Sequence, residues 1–434
     1  MLDLFGSNLQ QQGRGLYVGL ELLAICKGVI EAGGELLADP EETVSYRRRS
    51  HDLARRLATG TPIPAVQFSG AVEGTGTAAT LQALFSSLVV QIPGRRVEPR
   101  WFAAHLYPFV GELVHYDAVE RRGVPAIERY VFRDGGGFVY RTLRTDPDEK
   151  RRARVREALR DLVQDSGTAL GRVAAALRAH DVAKPDGEFV DESERTAEVD
   201  DEHSPWPELI RAGCDHIGRR TGVPRAKRIE QLLHWVPYCL ARHQLSLARL
   251  ELGLPEGLCP IDMTYAANPI RKRSQEALTE FRWNIVSALA QVARRHAEAS
   301  GDPTAEIWRR FTGSNPAFAA SPRAFFTETL AAVGALNATA GRRHFTFKPE
   351  MLEALLAATT PPGEEPEFET YCRSLHEKLG LVIGPAEARA ARLTNDIDGE
   401  SFTSNLIGFR QRLEASGLLT RYSDATDLVH GEIR

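Results

Sequence analysis

The side chains that could bind a metal ion are densest between residues 214 and 243. The group consists of two cysteines and three histidines: Cys214, His216, His234, Cys239 and His243. Cys239 and His243 are four residues apart, so a helix would bring a thiolate and an imidazole, both good zinc ligands, to one face. The other spacings are not those of a zinc finger, and Pro237 would disturb the helix. Because cysteine and histidine in an apolar helix are more often core residues, we predict no metal and no cofactor, with Cys239 and His243 as the alternative metal site.

A second polar group could contact nucleic acid. Thr221, Gly222 and Val223 lie between two helical stretches, as in the corner of a helix-turn-helix. A recognition helix would then begin at Pro224 and present cations to DNA, but that pattern requires an apolar residue at position 228. The alternative is a tight helical turn with a solvated basic face. The side chains concerned are Arg219, Arg220, Arg225, Lys227 and Arg228.

Three consecutive cations stand at the start of another predicted helix: Arg271, Lys272 and Arg273. Positive charge at a helix N-terminus opposes the helix dipole, so an anion or an acidic partner is expected nearby. The sequence leaves two explanations open. Either the cations contact phosphate or an acidic surface, or they pair with Glu276 and Glu280 at helical spacing.

Other motifs that carry chemistry are weak or missing in the sequence. The Gly-Thr-Gly-Thr run at 74–77 precedes a predicted helix, but no lysine follows it as a phosphate-binding P-loop requires. There is no Gly-x-Ser-x-Gly, no His-Glu-x-x-His and no acidic calcium-binding loop. We therefore predict no catalytic residue. Any unfamiliar active site would be expected around His234, Cys239 and His243.

The composition places the chain among globular, helix-rich proteins. Of its 434 residues, 43% are hydrophobic and 26% are charged, which argues against disorder. Its length fits about two to three domains. The net charge of −4 does not indicate a nucleic-acid-binding protein, although basic runs such as residues 151–156 leave room for a basic strip.

Cysteine usage and hydropathy indicate the compartment. Five scattered cysteines without a CxxC pair are typical of a reducing environment. No signal peptide is visible, and the most apolar segment, residues 16–30, contains Glu21 and Lys27 and is too short to span a bilayer. We therefore expect a cytoplasmic protein that does not contact a membrane.

The elements that must position these residues begin with an N-terminal helical region, residues 1–183. An Asp-Pro start signal predicts a helix over 40–58, and the Asp-Pro-Asp-Glu run at 146–149 predicts another near 147–164. Strand-like segments on either side of Gly135, Gly136 and Gly137 predict a β-hairpin near 129–141.

An acidic stretch, residues 184–205, predicts an exposed linker to the rest of the chain. The following segment, 206–340, has strong helical periodicity and is predicted to be a middle helical domain. Residues 341–434 predict three helices and a terminal hairpin, the order of a winged-helix domain, with Asp398 as an N-cap and glycines 380 and 417 ending helices.

At this C-terminal unit a family resemblance can be stated. The segments 368–385 (FETYCRSLHEKLGLVIGP) and 409–429 (FRQRLEASGLLTRYSDATDLV) resemble the tails of accessory subunits in multi-gene bacterial anti-phage systems, with the G subunit of phosphorothioation-dependent restriction as the nearest type. The resemblance covers the C-terminal fifth of the chain. It implies a subunit without catalytic motifs that works beside a helicase or translocase and a nuclease. No functional residue is carried over by it.

Together these features predict a mainly α-helical, multidomain protein with a small β-hairpin and a C-terminal winged-helix-like domain. Its expected role is that of a non-catalytic accessory subunit of a bacterial defence or DNA-processing complex, bridging an ATPase, helicase or nuclease partner, with DNA as a further candidate ligand. One alternative is a helix-turn-helix transcription regulator, which would bind a specific sequence as a symmetric dimer. Another is an enzyme with an unrecognised site.

Overall fold

The computed structural model confirms a mainly α-helical fold in the part of the chain that it describes. That part consists of residues 2–7, 9, 15–31, 33–38, 45–48, 83, 103–105, 117–121, 124–126, 135–164, 167–169, 190–193, 199, 201–264, 267–301, 316–337, 342–423 and 426–433. Among these residues, no helix combines the length and the apolar character needed to cross a membrane.

The elements follow one another in an order dominated by helices. The helices are α1 (Leu2–Phe5), α2 (Leu16–Glu31), α3 (Gly135–Arg144), α4 (Glu149–Val163), α5 (Trp206–Arg219), α6 (Arg225–Glu251), α7 (Pro269–Ser300), α8 (Pro316–Ala332), α9 (Pro349–Thr359), α10 (Phe368–Leu379), α11 (Pro385–Ala390), the 3-10 helix Leu393–Asn395 and α12 (Gly399–Ala415). The strands are β1 (Ser45–Arg48), β2 (Ala103–His105), β3 (Asp117–Arg121), β4 (Val124–Ala126), β5 (Val190–Ser193), β6 (Cys259–Pro260), β7 (Leu381–Val382), β8 (Leu419–Ser423) and β9 (Thr426–Val429).

The described strands form small separate sheets. Strand β1 pairs antiparallel with β5, and β2, β3 and β4 form an antiparallel sheet in that order. Strands β8 and β9 are the predicted C-terminal hairpin. Strands β6 and β7 are parallel and join the segment after α6 to the segment after α10.

Helix α6 is the centre of the described fold. It packs against α2, α5, α7, α8 and α9, and its side chains are buried around most of its circumference, as expected for a helix surrounded by others. Trp235 is 1% exposed on this helix. The helix continues through Pro237, because the packing on all sides holds a turn that proline would otherwise disturb.

One hydrophobic core cluster runs through the described residues from Phe5 to Val429. The described parts of the predicted regions 1–183, 206–340 and 341–434 all contribute to it, because α2, α5 and α9 pack directly against α6. Whether the predicted boundaries separate folding units stays a prediction.

The predicted β-hairpin near 129–141 is wrong for its second strand, since residues 135–144 form helix α3. The glycines at its start allow a close approach to α2: a Cβ on Gly136 would lie 2.5 Å from the backbone nitrogen of Leu22. The carboxylate of buried Glu21 accepts a 2.7 Å hydrogen bond from the Gly136 N–H and so caps the new helix. Residues 129–134 lie outside the described part of the chain.

Two other predictions about the N-terminal half also need correction. Residues 45–48, expected in a helix over 40–58, form strand β1, and the rest of that range lies outside the described residues. Its partner strand β5 lies within the predicted linker 184–205. The end of that linker is also packed, because Asp201 binds the buried guanidinium of Arg211 at 2.7 Å. A buried cation needs such a counter-charge.

The C-terminal unit, residues 342–433, has the predicted order of helices and hairpin, with α11 and the 3-10 helix as additions. Helix α9 packs against α5 and α6, while α10, α11 and α12 are grouped with the hairpin. Asp398 is the N-cap of α12, accepting from the Ser401 N–H at 2.7 Å. Gly380, at the end of α10, has a φ of +66°, the left-handed conformation expected of glycine there.

Candidate functional site

Most of the predicted cations at the corner between α5 and α6 bind acids within the fold. The Arg228 guanidinium donates to Asp161 of α4 at 2.7 Å, and Arg225 donates to the same carboxylate at 3.2 Å. Lys227 binds Glu230 at 2.9 Å and also pairs with Glu353 of α9. Burial favours the neutral form of Asp161, but its two arginine partners outweigh that effect and lower its pKa. These cations therefore join α4, α6 and α9.

Arg220 is buried and serves the end of a neighbouring helix. Its guanidinium donates to the carbonyl of Thr360 at 2.7 Å, just after the last residue of α9. A cation is favourable at a helix C-terminus, where the carbonyls lack intrahelical partners. Arg219 differs, since its side chain is 46% exposed and lies 3.8 Å from Asp215.

Two of the proposed phosphate contacts thus lack the required exposure. Arg220 and Arg228 are both 5% exposed, because each fills its donors with carbonyls or carboxylates between packed helices. The helix that would enter a DNA groove is α6, which lies in the core along most of its length. This placement removes support from the helix-turn-helix reading of residues 217–229.

Arg271, the first of the three cations at the start of α7, faces an anion that the protein itself supplies. The carboxylate of Asp262 is fully buried and accepts from Arg271 Nε at 2.6 Å. It also accepts from the Thr264 hydroxyl at 2.8 Å and from Asn268 Nδ2 at 3.0 Å. Burial raises the pKa of Asp262, but the bonds from Arg271, Asn268 and Thr264 prevail and lower it. The expected acidic partner of the helix N-terminus is therefore Asp262.

Of the two acids predicted to pair with these cations, Glu276 does so and Glu280 does not. Arg273 lies 3.7 Å from Glu276, at helical spacing, whereas Glu280 binds Arg249 of α6 at 2.8 Å. The Lys272 side chain is exposed to solvent. Of the three cations, Lys272 and Arg273 are thus the two that remain accessible to a ligand.

Cys239 and His243 are core residues of α6. Burial raises the pKa of the Cys239 thiol well above its usual value, which keeps it protonated. His243 Nδ1 lies 2.8 Å from the hydroxyl of buried Ser204, and its ring stacks on Phe138 with 5.1 Å between centroids. Within the described ranges, no three Cys, His, Asp or Glu side chains converge as a metal site would require. His234 bonds to the Glu230 carbonyl at 2.8 Å.

A basic and aromatic surface on α7 and α8 was missed by the sequence reasoning. Trp283 of α7 is 58% exposed, and the guanidinium carbon of Arg323 of α8 lies 5.9 Å from its ring centroid. Arg282 stands beside Trp283 on the edge of α7 that faces Arg323 and Arg343. We call these four residues the Trp283 surface. The signal was present as Arg-Trp at 282–283, but only the packing of α7 against α8 brings Arg323 to it, and Arg343 joins through Glu328 of α8.

The Trp283 surface carries excess positive charge. Arg343 binds Glu328 through two hydrogen bonds of 2.6 and 3.2 Å, and among the described residues Glu328 is the one acid that acts on the charge of Arg282. Burial lowers the pKa of Arg282, and the charges of Arg323 and Arg343 lower it further. Within the described structure, Arg282 Nε is buried and has no hydrogen-bond partner. A ligand that brings negative charge to this surface would compensate the excess positive charge.

No known protein family, curated protein or solved structure matches this chain.

Proposed function

We propose that the chain is a non-catalytic accessory subunit of a bacterial defence or DNA-processing complex. In this role the C-terminal unit binds a partner protein, an ATPase, helicase or nuclease, and exposed cations contact nucleic acid. The observation that carries the proposal is the set of apolar side chains on the surface of the C-terminal unit. Ile407, Tyr422 and Ile433 are 47%, 56% and 54% exposed, although the unit buries its own core.

Burial of large exposed apolar side chains by a partner is energetically favourable. Tyrosine is also enriched at protein–protein interfaces. The unit is also held firmly to the rest of the fold, by α9 against α6 and by the pairing of β6 with β7. A docking surface on a rigid support loses little conformational freedom on binding. We interpret the unit as a winged-helix-like protein-docking module.

Fewer cations are available to contact nucleic acid than the sequence suggested. Arg219, Lys272 and Arg273 are the accessible members of the predicted set, while Arg220, Arg225, Lys227, Arg228 and Arg271 act within the fold. Few accessible cations favour weak contact with DNA by the isolated chain, as suits a subunit that acts inside a complex.

The test is co-expression with the product of each neighbouring gene, followed by size-exclusion chromatography with light scattering. We expect a stable complex of defined mass, which Ile407→Glu or Tyr422→Glu weakens because either change places a charge in an apolar interface. Leu250→Glu is the matched control, since Leu250 is 45% exposed at the end of α6, outside the C-terminal unit. A complex that survives both C-terminal substitutions would reject the docking surface. Turnover by the chain alone, abolished by one substitution, would reject the non-catalytic role.

A further inference from the structure

We infer that the Trp283 surface binds single-stranded nucleic acid, with a base stacked on the Trp283 indole and a phosphate bound by Arg282 and Arg323. The inference rests on the proposed function only in taking nucleic acid as the ligand. It adds the site, the strandedness and the mode of recognition.

Trp283 exposes its indole to solvent. The other apolar side chains around it in the sequence of α7, Phe281, Ile285 and Val286, are buried, whereas the indole is 58% exposed. Every nucleobase has a flat face that stacks on an indole, so an exposed tryptophan is a platform for unpaired bases. The guanidinium of Arg323 lies 5.9 Å from the ring centroid, close enough to hold the ring and to meet the phosphate of a stacked nucleotide.

The electrostatic part is the unmatched charge of Arg282. Its interacting charges in the described residues are Arg323, Arg343 and Glu328, and Glu328 is bound by Arg343. The Nε of Arg282 is buried without a hydrogen-bond acceptor. A phosphate bound at the exposed part of the surface supplies the missing negative charge, and an arginine guanidinium binds phosphate through parallel hydrogen bonds.

The geometry of α7 extends the site along one face of the helix. Lys272 and Trp283 are eleven residues apart, which is about three turns and roughly 16 Å on the same side. Both side chains are exposed, and Thr279 lies exposed between them. Glu276 also lies exposed on this side, but Arg273 pairs with it at 3.7 Å, so a strand stacked on Trp283 can run along α7 toward the cation at Lys272. A base pair inside a duplex keeps its faces stacked on its neighbours, so the indole favours single strands.

The test uses the full chain and a fluorescein-labelled oligo(dT) of 20 nucleotides, with binding followed by fluorescence anisotropy at low salt. We expect binding that Trp283→Ala weakens roughly tenfold through loss of stacking. Arg282→Gln should also weaken it and should reduce the slope of log affinity against log salt by about 0.7, the value for one phosphate contact on a single strand.

Matched controls come from the same surface types elsewhere. Arg295 also lies on α7 and is 56% exposed, but it pairs with Glu251 of α6 and lies twelve residues after Trp283, about a third of a turn away from that side of the helix. Arg295→Gln therefore removes an equal charge outside the site. Tyr422 is an exposed aromatic residue in the C-terminal unit, so Tyr422→Ala controls for loss of an aromatic ring. Both controls should bind within twofold of the unmodified chain. Thermal unfolding followed by circular dichroism verifies that each variant is folded.

Several results would overturn the inference. The first is the absence of oligo(dT) binding. The second is an affinity of Trp283→Ala and Arg282→Gln equal to that of the unmodified chain. The third is a duplex that binds as tightly as the single strand and loses the same affinity in both variants. Competition by poly-glutamate as effective as that by oligo(dT) would assign the surface to an acidic protein instead. Failure here with an intact partner complex leaves the proposed docking role standing. Conversely, if Ile407→Glu abolishes the complex and leaves oligo(dT) binding unchanged, the docking surface and the Trp283 surface act independently.

Discussion

Replacing Asp262 by asparagine tests the idea that this carboxylate holds the start of α7. Asparagine has nearly the same shape and retains one oxygen for Thr264 and Asn268. Its amide, however, would place a donor 2.6 Å from the Nε of Arg271, where the carboxylate now accepts. The exchange therefore leaves the Arg271 guanidinium without its carboxylate partner, with the Thr264 carbonyl at 3.3 Å as its remaining acceptor.

The magnitude follows from the burial of the two partners. Asp262 is fully buried, whereas the Arg271 side chain is 24% exposed and can recover part of its hydration. Removing one member of a buried ion pair costs about 3–5 kcal/mol, so we expect a loss near the lower end, about 3 kcal/mol. Chemical denaturation with an unchanged m value measures this loss as a shift of the midpoint.

The pH dependence gives a second signature. The folded-state pKa of Asp262 is lowered by its hydrogen bonds with Arg271, Asn268 and Thr264, which outweigh the opposing effect of burial. A carboxyl group of this kind stabilises the fold above its unfolded pKa of about 3.9 and loses that contribution as pH falls through its lower folded pKa. The difference between the natural chain and Asp262→Asn should therefore be full at neutral pH and shrink in acid.

A double-mutant cycle with Arg271→Gln separates the pair from its surroundings. We expect the second substitution to cost much less in the Asp262→Asn background, because the carboxylate partner is already gone. A loss of under 1 kcal/mol in the free energy of unfolding of Asp262→Asn at neutral pH would show that the Asp262–Arg271 pair does not hold the start of α7. Losses from the two substitutions that add without coupling would show the same.

The remaining predictions concern packing, ion pairing and the end of a helix. Gly136→Ala should destabilise the chain by about 1–3 kcal/mol in chemical denaturation, because its Cβ would overlap the backbone of α2. Gly137→Ala should not, because its Cβ would have no atom nearer than 3.8 Å. Equal effects of the two substitutions would contradict the close packing. Arg228→Gln and Asp161→Asn should show coupling in a double-mutant cycle, and additive losses would deny the pair. Gly380→Ala should cost about 1–2 kcal/mol, since φ there is +66°, and a neutral result would contradict that backbone geometry.

Much of the helical pattern could be predicted from the sequence because its signals are local. The Asp-Pro-Asp-Glu signal predicted α4, where Asp148 accepts hydrogen bonds from the N–H groups of Lys150 and Arg151. The same reasoning placed Asp398 at the start of α12 and Gly380 at the end of α10. Each of these effects depends on atoms two to five residues away, so neighbouring letters of the sequence suffice.

The candidate site was predicted less well, because basic residues look alike in a sequence whether they bind a ligand or another helix. The run at 151–156 shows this: Arg154 binds Asp215 at 2.8 Å and Arg156 pairs with Glu35, so these side chains join α4 to other parts of the fold. Arg228 is paired across 67 positions with Asp161. No local rule assigns partners at such distances.

The sequence by itself determined that the chain is mainly helical, where several helices begin and end, and the order of elements in the C-terminal unit. Only the tertiary structure decided which cations are exposed, that Gly135 and Gly136 serve a helix contact instead of a turn, and that Arg282, Trp283 and Arg323 share one surface. Secondary structure follows from neighbours along the chain. Charge pairing and side-chain exposure follow from which helices pack together, and that packing depends on the whole core at once.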